Sequence, residues 1–144
     1  MSTEKPLLRS DYRRFYPIIT RWMDNDIYGH VNNVTYYSYF DSAVNRYLIE
    51  EGGLNIHDAP VVGFVVNSHC NYLAPIAYPD AIEVGLRVNK LGNSSVTYGV
   101  AIFKAGEDSA CAYGDFIHVF VERAANKSTA IPASIRAALE QLVI

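Results

Sequence analysis

The stretch from Arg21 to Gly53, RWMDNDIYGHVNNVTYYSYFDSAVNRYLIEEGG, constrains what this chain can fold into more than any other part of it. It packs two acidic residues, a glycine turn, a histidine, two asparagines and an aromatic-rich segment close together. From about Val34 the apolar residues fall at Tyr36, Tyr37, Phe40, Ala43, Val44, Tyr47 and Leu48, the spacing of one buried helix face. Ser38, Asp41, Ser42, Asn45 and Arg46 fall mostly on the other side. Asn32 and Asn33 offer N-cap oxygens, and Gly52-Gly53 offers a C-terminal stop. The pattern predicts a loop, a capped helix and a stop, with Asp24 and Asp26 just upstream of the helix's electropositive end.

A helix with one apolar face needs something to cover it. The chain has 144 residues, half of them hydrophobic, which suits one domain over 1–144 with a single core. Net charge is −3 and no basic run exceeds Arg13-Arg14, so nucleic acid is a poor partner. Cys70 and Cys111 form no CxxC pair, which argues against a zinc site or a disulfide scaffold. MSTEKPLLRSDYRRFY lacks a signal-type apolar region, and no apolar run is long enough to span a bilayer. These features lead us to expect a cytoplasmic, reduced protein without metal or cofactor.

Residues 1–12 read as a polar, loose lead-in. Arg13–Arg21 reads as a first strand, with Pro17 placing it at an edge or a bulge. After the helix, Val61–Tyr72, Ala81–Val88, Ser95–Phe103 and Ser109–Glu122 read as strands separated by turn residues. Arg123–Thr129 is a polar loop, and Pro132 opens a short last helix. Strands joined by tight turns, with one long helix inserted early, predict an α+β arrangement: an antiparallel sheet with the helix on one face.

An ionised Asp close to helix-terminal N–H groups can share one reacting carbonyl with them. The amides stabilise charge on oxygen while the carboxylate attacks or activates water. Asp ahead of a helix is also an ordinary cap or dipole partner, so the residues alone leave both roles open.

The run RWMDNDIYGHVNNVTYYSYFDSA resembles the signature of hotdog-fold acyl-thioester hydrolases of the 4-hydroxybenzoyl-CoA thioesterase type. There a D-x-D-x-x-G turn precedes a central helix wrapped by a curved antiparallel sheet of about five strands. Asn71-Tyr72-Leu73-Ala74-Pro75 with Asp80 resembles the family's DYLxPxxxGD segment, with Asn71 and Pro79 replacing the usual Asp and Gly. Lys90-Leu91-Gly92-Asn93-Ser94-Ser95 resembles its hairpin, and residues 13 to 140 follow the family order.

The resemblance implies an acyl-CoA thioesterase with Asp26 as catalytic carboxylate, acting as general base or nucleophile. It also implies that the backbone N–H of Asn33 polarises the thioester carbonyl. Around Ser94, Ser95, Arg123 and Lys127, the family contacts the phosphates and pantetheine arm of coenzyme A. His30 either positions substrate or Asp26, or packs in the turn. Gly29 supplies a positive φ or a close approach. Tyr36 buries against the sheet or lines an acyl or aryl pocket. Asp24 either raises the pKa of Asp26 or fixes the turn.

The fold implies a homodimer, or a tetramer built from dimers, with sites shared between chains. A non-catalytic acyl-thioester-binding subunit and an acyl-ACP thioesterase are the alternatives. A hotdog dehydratase is disfavoured, because its histidine-containing motif is not found.

Overall fold

The computed structural model describes residues 5–144. Its elements are β1 (Arg14–Ile19), α1 (Asn33–Glu50), β2 (Val61–Tyr72), β3 (Ala81–Leu91), β4 (Ser95–Lys104), β5 (Ala112–Glu122), β6 (Lys127–Ser128) and α2 (Ala133–Glu140). The strands pair antiparallel in the order β1-β3-β4-β5-β2, with β6 adding a short hairpin to β5. β1 and β2 are consecutive strands at opposite edges, so the connection between them must cross the sheet. That connection is α1. This curled sheet around one long helix is the α+β hotdog architecture expected from the motif.

The face that α1 buries consists of Tyr36, Tyr39, Phe40, Ala43, Val44, Tyr47 and Leu48. Tyr39 takes the place expected for Tyr37, which is only half buried. Offsets of three and four from Tyr36 give a narrower stripe than the one read from sequence. The sheet answers with Tyr16, Val84, Leu86, Val88, Val96, Tyr98, Val100, Ile102, Phe116 and Phe120. Phe40 is fully buried, and truncating such a ring to Ala costs about 3–5 kcal/mol.

Asn32 caps the helix start by accepting the Val34 N–H at 3.2 Å. At the other end Gly53 takes φ +69°, and the Leu54 N–H returns to the Leu48 carbonyl at 3.0 Å. Pro17 sits in β1, paired on one side only with β3, where its missing N–H breaks no ladder.

Two expectations need correction. Residues 5–12 are not a loose lead-in, although 1–4 lie outside the described residues. The Arg9 N–H bonds the Asp108 carbonyl, the Ala110 N–H bonds the Leu7 carbonyl, and Tyr12 is buried edge-on to Phe103 on the sheet's outer face. Tyr12 joins Ala101, Phe103 and Ala110 in a small buried cluster, with Phe15 and Tyr113 packed against it, which polar neighbours hid in the sequence. The loop after β5 folds back as β6, turning through Asn126 at φ +54°. Among the described residues, no helix is long and apolar enough to cross a membrane.

Candidate active site

The turn between β1 and α1 holds both aspartates, and it treats them differently. Asp24 is buried and accepts four bonds: from the Arg21 amide at 2.9 Å, the Arg21 guanidinium at 3.1 and 3.0 Å, and the Tyr39 hydroxyl at 2.7 Å. Burial by itself would raise its pKa. Hydrogen bonds from Tyr39, the Arg21 amide and the Arg21 guanidinium outweigh that and hold it below the usual carboxylate range. The Asp24 carbonyl also accepts the Asn32 N–H at 2.9 Å, tying the turn to the helix cap. Of its two expected roles, the geometry carries the turn-fixing one.

Asp26 is only partly buried, and its carboxylate accepts one bond, from the Tyr28 N–H at 2.9 Å. Its own N–H donates to the His30 carbonyl at 2.9 Å, and its carbonyl accepts the Gly29 N–H at 3.1 Å. Gly29 closes this loop at φ +83°, where a side chain would be strained. Trp22, Met23, Asn25, Asp26, Ile27 and Gly29 line an open hollow of about 640 Å³.

Seven residues beyond Asp26, Asn33 begins α1. No hydrogen bond from its N–H is found among the described residues, as expected for a first-turn amide. It lines a second hollow, of about 290 Å³, with His30, Val31, Tyr36, Tyr72, Leu73, Ala74 and Pro75. Gly29 lines the first hollow, and its neighbour His30 lines the second. Tyr36 is buried behind the second, its phenol pushed up to about 12 by burial and therefore neutral.

The segment after β2 is stitched to the turn. The Ile76 carbonyl accepts the Val31 N–H at 2.8 Å, and the Tyr78 N–H donates to Asn25 at 3.0 Å. Tyr72, Leu73 and Pro75 were legible in the sequence only as a motif. That they wall the hollow depends on where β2 ends beside α1.

Ser94, Ser95, Arg123 and Lys127 are not brought to this place within one chain. Arg123 follows Glu122, the Cα partner of Val61 at the start of β2, whereas Tyr72 at its end touches Asn33. About 35 Å of strand contour separates them. The Arg123 guanidinium holds the Ile56 and His57 carbonyls at 2.8 and 3.1 Å, and Lys127 lies exposed in β6. The Ser94 carbonyl accepts the Phe120 N–H at 2.7 Å, and Ser95 pairs with Val119 at that same end.

His69 and Cys70 are adjacent in β2 and therefore point to opposite faces. His69 faces Asp115, with 3.7 Å between Nε2 and the carboxylate. Burial pushes the Cys70 thiol up to about 11, which leaves it a poor nucleophile. His118 is buried among Tyr98, Phe116 and Phe120, its Nδ1 without a partner among the described residues.

Residues 20–139 match the family model of the thioesterase-like superfamily. The solved structure of the PA5185 protein from Pseudomonas aeruginosa strain PAO1 is 59% identical. It covers 95% of this chain and 96% of its own, with a TM-score of 0.94. The PA2801 protein from Pseudomonas aeruginosa is 34% identical, covering 89% and 98%, with a TM-score of 0.82. BH1999, a gentisyl-coenzyme A thioesterase, is 23% identical over 88% of this chain and 99% of its own; its TM-score of 0.77 shows a shared fold. The aspartate turn therefore opens the helix of a hotdog thioester hydrolase, and the chain belongs to the thioesterase-like superfamily.

Proposed function

We propose that this protein hydrolyses an acyl- or aryl-CoA thioester to the free acid and CoA, in the cytoplasm, with Asp26 and the Asn33 N–H as its reacting groups. One observation carries this reading: an accessible carboxylate and a helix-terminal amide with no partner among the described residues are held by the same short turn. Asp26 takes a proton from water as it attacks the thioester carbonyl, or attacks that carbonyl itself to form a mixed anhydride. The carbonyl oxygen gains negative charge, and the Asn33 N–H at the positive end of α1 meets it. Collapse of the tetrahedral intermediate expels the CoA thiolate, and on the second route water then hydrolyses the anhydride to free acid and restores the Asp26 carboxylate. Rapid-quench detection of an acyl adduct on Asp26 separates the two routes. His30 and Tyr36 shape the carbonyl end, and Gly29 keeps the approach open. That BH1999 acts on a coenzyme A thioester supports the choice of CoA over a carrier protein.

The active unit in this reading is a homodimer formed across β2, with a tetramer of two dimers as its extension. β2 is a long edge strand, and it exposes Phe64, Val65 and Val66 at 47%, 47% and 58%. Unpaired backbone beside exposed apolar side chains invites a second strand. A two-fold antiparallel pairing sets the Val61 end of one copy beside the Tyr72 end of the other. The partner's loop at Arg123 and Lys127, with the Ser94-Ser95 hairpin nearby, then approaches the Asp26 turn from across the interface. This supports the ligand roles that one chain alone leaves distant.

The test is thiol release from a panel of acyl- and aryl-CoA esters by wild type and Asp26→Asn, with light scattering on both. We expect hydrolysis by wild type, a collapse in the variant, and a mass of at least two chains for each. Equal turnover in the two proteins sinks the Asp26 assignment. A monomer that is fully active sinks the shared site.

A further inference from the structure

We infer that Tyr72 is the positioning and specificity-determining residue of this site: its hydroxyl clamps the first turn of α1, and its ring sets the depth of the carbonyl-end hollow. This inference rests on the proposed thioesterase reading for its substrate, and not for the clamp itself.

An N–H at a helix start can polarise a carbonyl only if the first turn points it at one place. A first turn has few bonds of its own to hold it. Asn32 steadies it from outside through the Val34 N–H. From the sheet side, the Tyr72 hydroxyl donates to the Asn33 carbonyl at 3.1 Å. Inside a helix that carbonyl already accepts the amide four residues on. The phenol fills its second lone pair, which water would otherwise fill on this exposed surface. The bond therefore adds little to global stability, and what it supplies is local order in the first turn, and with it direction.

The ring is fixed as firmly as the hydroxyl. It meets Tyr36 edge-on, with centroids 4.9 Å apart and planes at 81°, and Tyr36 is buried. Just beyond it, the Leu73 and Ala74 N–H groups both donate to the Cys111 carbonyl, at 2.8 and 3.0 Å, so the end of the strand cannot swing away. Yet Tyr72 is 46% exposed, and it lines the hollow with Tyr36, Leu73 and Pro75. A ring that is braced behind and open in front acts as a wall. Any acyl or aryl group whose carbonyl reaches the Asn33 N–H must lie against it.

Two variants separate the hydroxyl from the ring, each read in two ways. In Tyr72→Phe the wall stays and the clamp goes. Amide hydrogen exchange at Val34 and Thr35 should rise about tenfold while exchange in the rest of α1 stays unchanged. On esters that wild type hydrolyses, kcat should fall about tenfold with KM within about twofold, at an unchanged Tm. In Tyr72→Ala the ester preference should move to longer or bulkier acyl groups by about tenfold in relative kcat/KM. Unchanged exchange in Tyr72→Phe overturns the clamp, whatever the turnover. An unchanged ester profile in Tyr72→Ala overturns the wall. If wild type releases thiol from no ester, the thioesterase reading fails by itself, and the exchange measurement still decides the clamp.

Discussion

The two ends of α1 are built to opposite purposes. At the C-terminal end several groups are tied down, although a hollow of about 460 Å³ opens beside Gly52, Gly53, Leu54 and Asn55. The Tyr47 hydroxyl donates to the Ala138 carbonyl at 2.6 Å, the Leu54 N–H closes back on Leu48, and Arg123 holds two carbonyls of the following loop. At the N-terminal end the Asn33 N–H is left without a partner among the described residues, and the turn before it turns large apolar residues outward. Trp22 is 78% exposed and Ile27 94%. The N-terminal end is held too, by Asn32, Asp24 and Tyr72, but its bonds leave the Asn33 donor and an open surface of the kind a ligand or a second chain requires.

Asp26→Asn should have the largest effect at the open end. If the open end serves chemistry, turnover should drop by about a thousandfold, roughly 4 kcal/mol of barrier, while the urea midpoint stays unmoved. A variant that loses stability instead would make Asp26 part of the frame.

Acid tests the closed end. His118 packs near the start of β2, where a Cβ on Gly63 would come within 2.9 Å of its Nδ1. Burial lowers its pKa from 6.5 to about 4. The unfolded chain takes up that proton first as pH falls. The stability is therefore complete above about 6.5 and lost toward 4, by about 3 kcal/mol in all. His118→Phe should flatten the fall in Tm across that window. Asp24 does not share the window: its pKa lies below 3.8, so its contribution is lost only at lower pH. A wild-type Tm that stays level from pH 6.5 to 4.5 would remove His118 from this account.

Asp24→Asn is the smallest and most discriminating change. Two residues from Asp26, it should cost about 2 kcal/mol of stability, because an amide cannot accept all the bonds from Arg21 and Tyr39. Turnover per folded molecule should fall only a few-fold. Loss of turnover at full stability would place Asp24 within the chemistry and blur the line between frame and site.

How much of this was readable in advance follows from how local each signal is. The period of α1, the Asn32 cap, the Gly53 stop and the edge position of Pro17 depend on residues a few positions apart, so the bare sequence shows them. The Asp-turn motif, too, lies in one run of sequence, and the family and the fold came with it. Tyr39 in place of Tyr37 was missed because the face of a helix is settled by the sheet beneath it. The burial of Tyr12 was missed because its partner, Phe103, lies some ninety residues on.

By itself, the sequence determined one long capped helix, an antiparallel sheet, and a carboxylate just ahead of a helix start. Folding in three dimensions decided that Asp24 is bound by four donors while Asp26 has one among the described residues. It also decided that Tyr72 reaches Asn33, and that Arg123 and Ser94 lie at the far end of the sheet. The reason is strand register. The β2–β5 register runs from Val61 opposite Glu122 to Tyr72 opposite Ala112, pairing residues far apart in the chain, and no short window of sequence contains it.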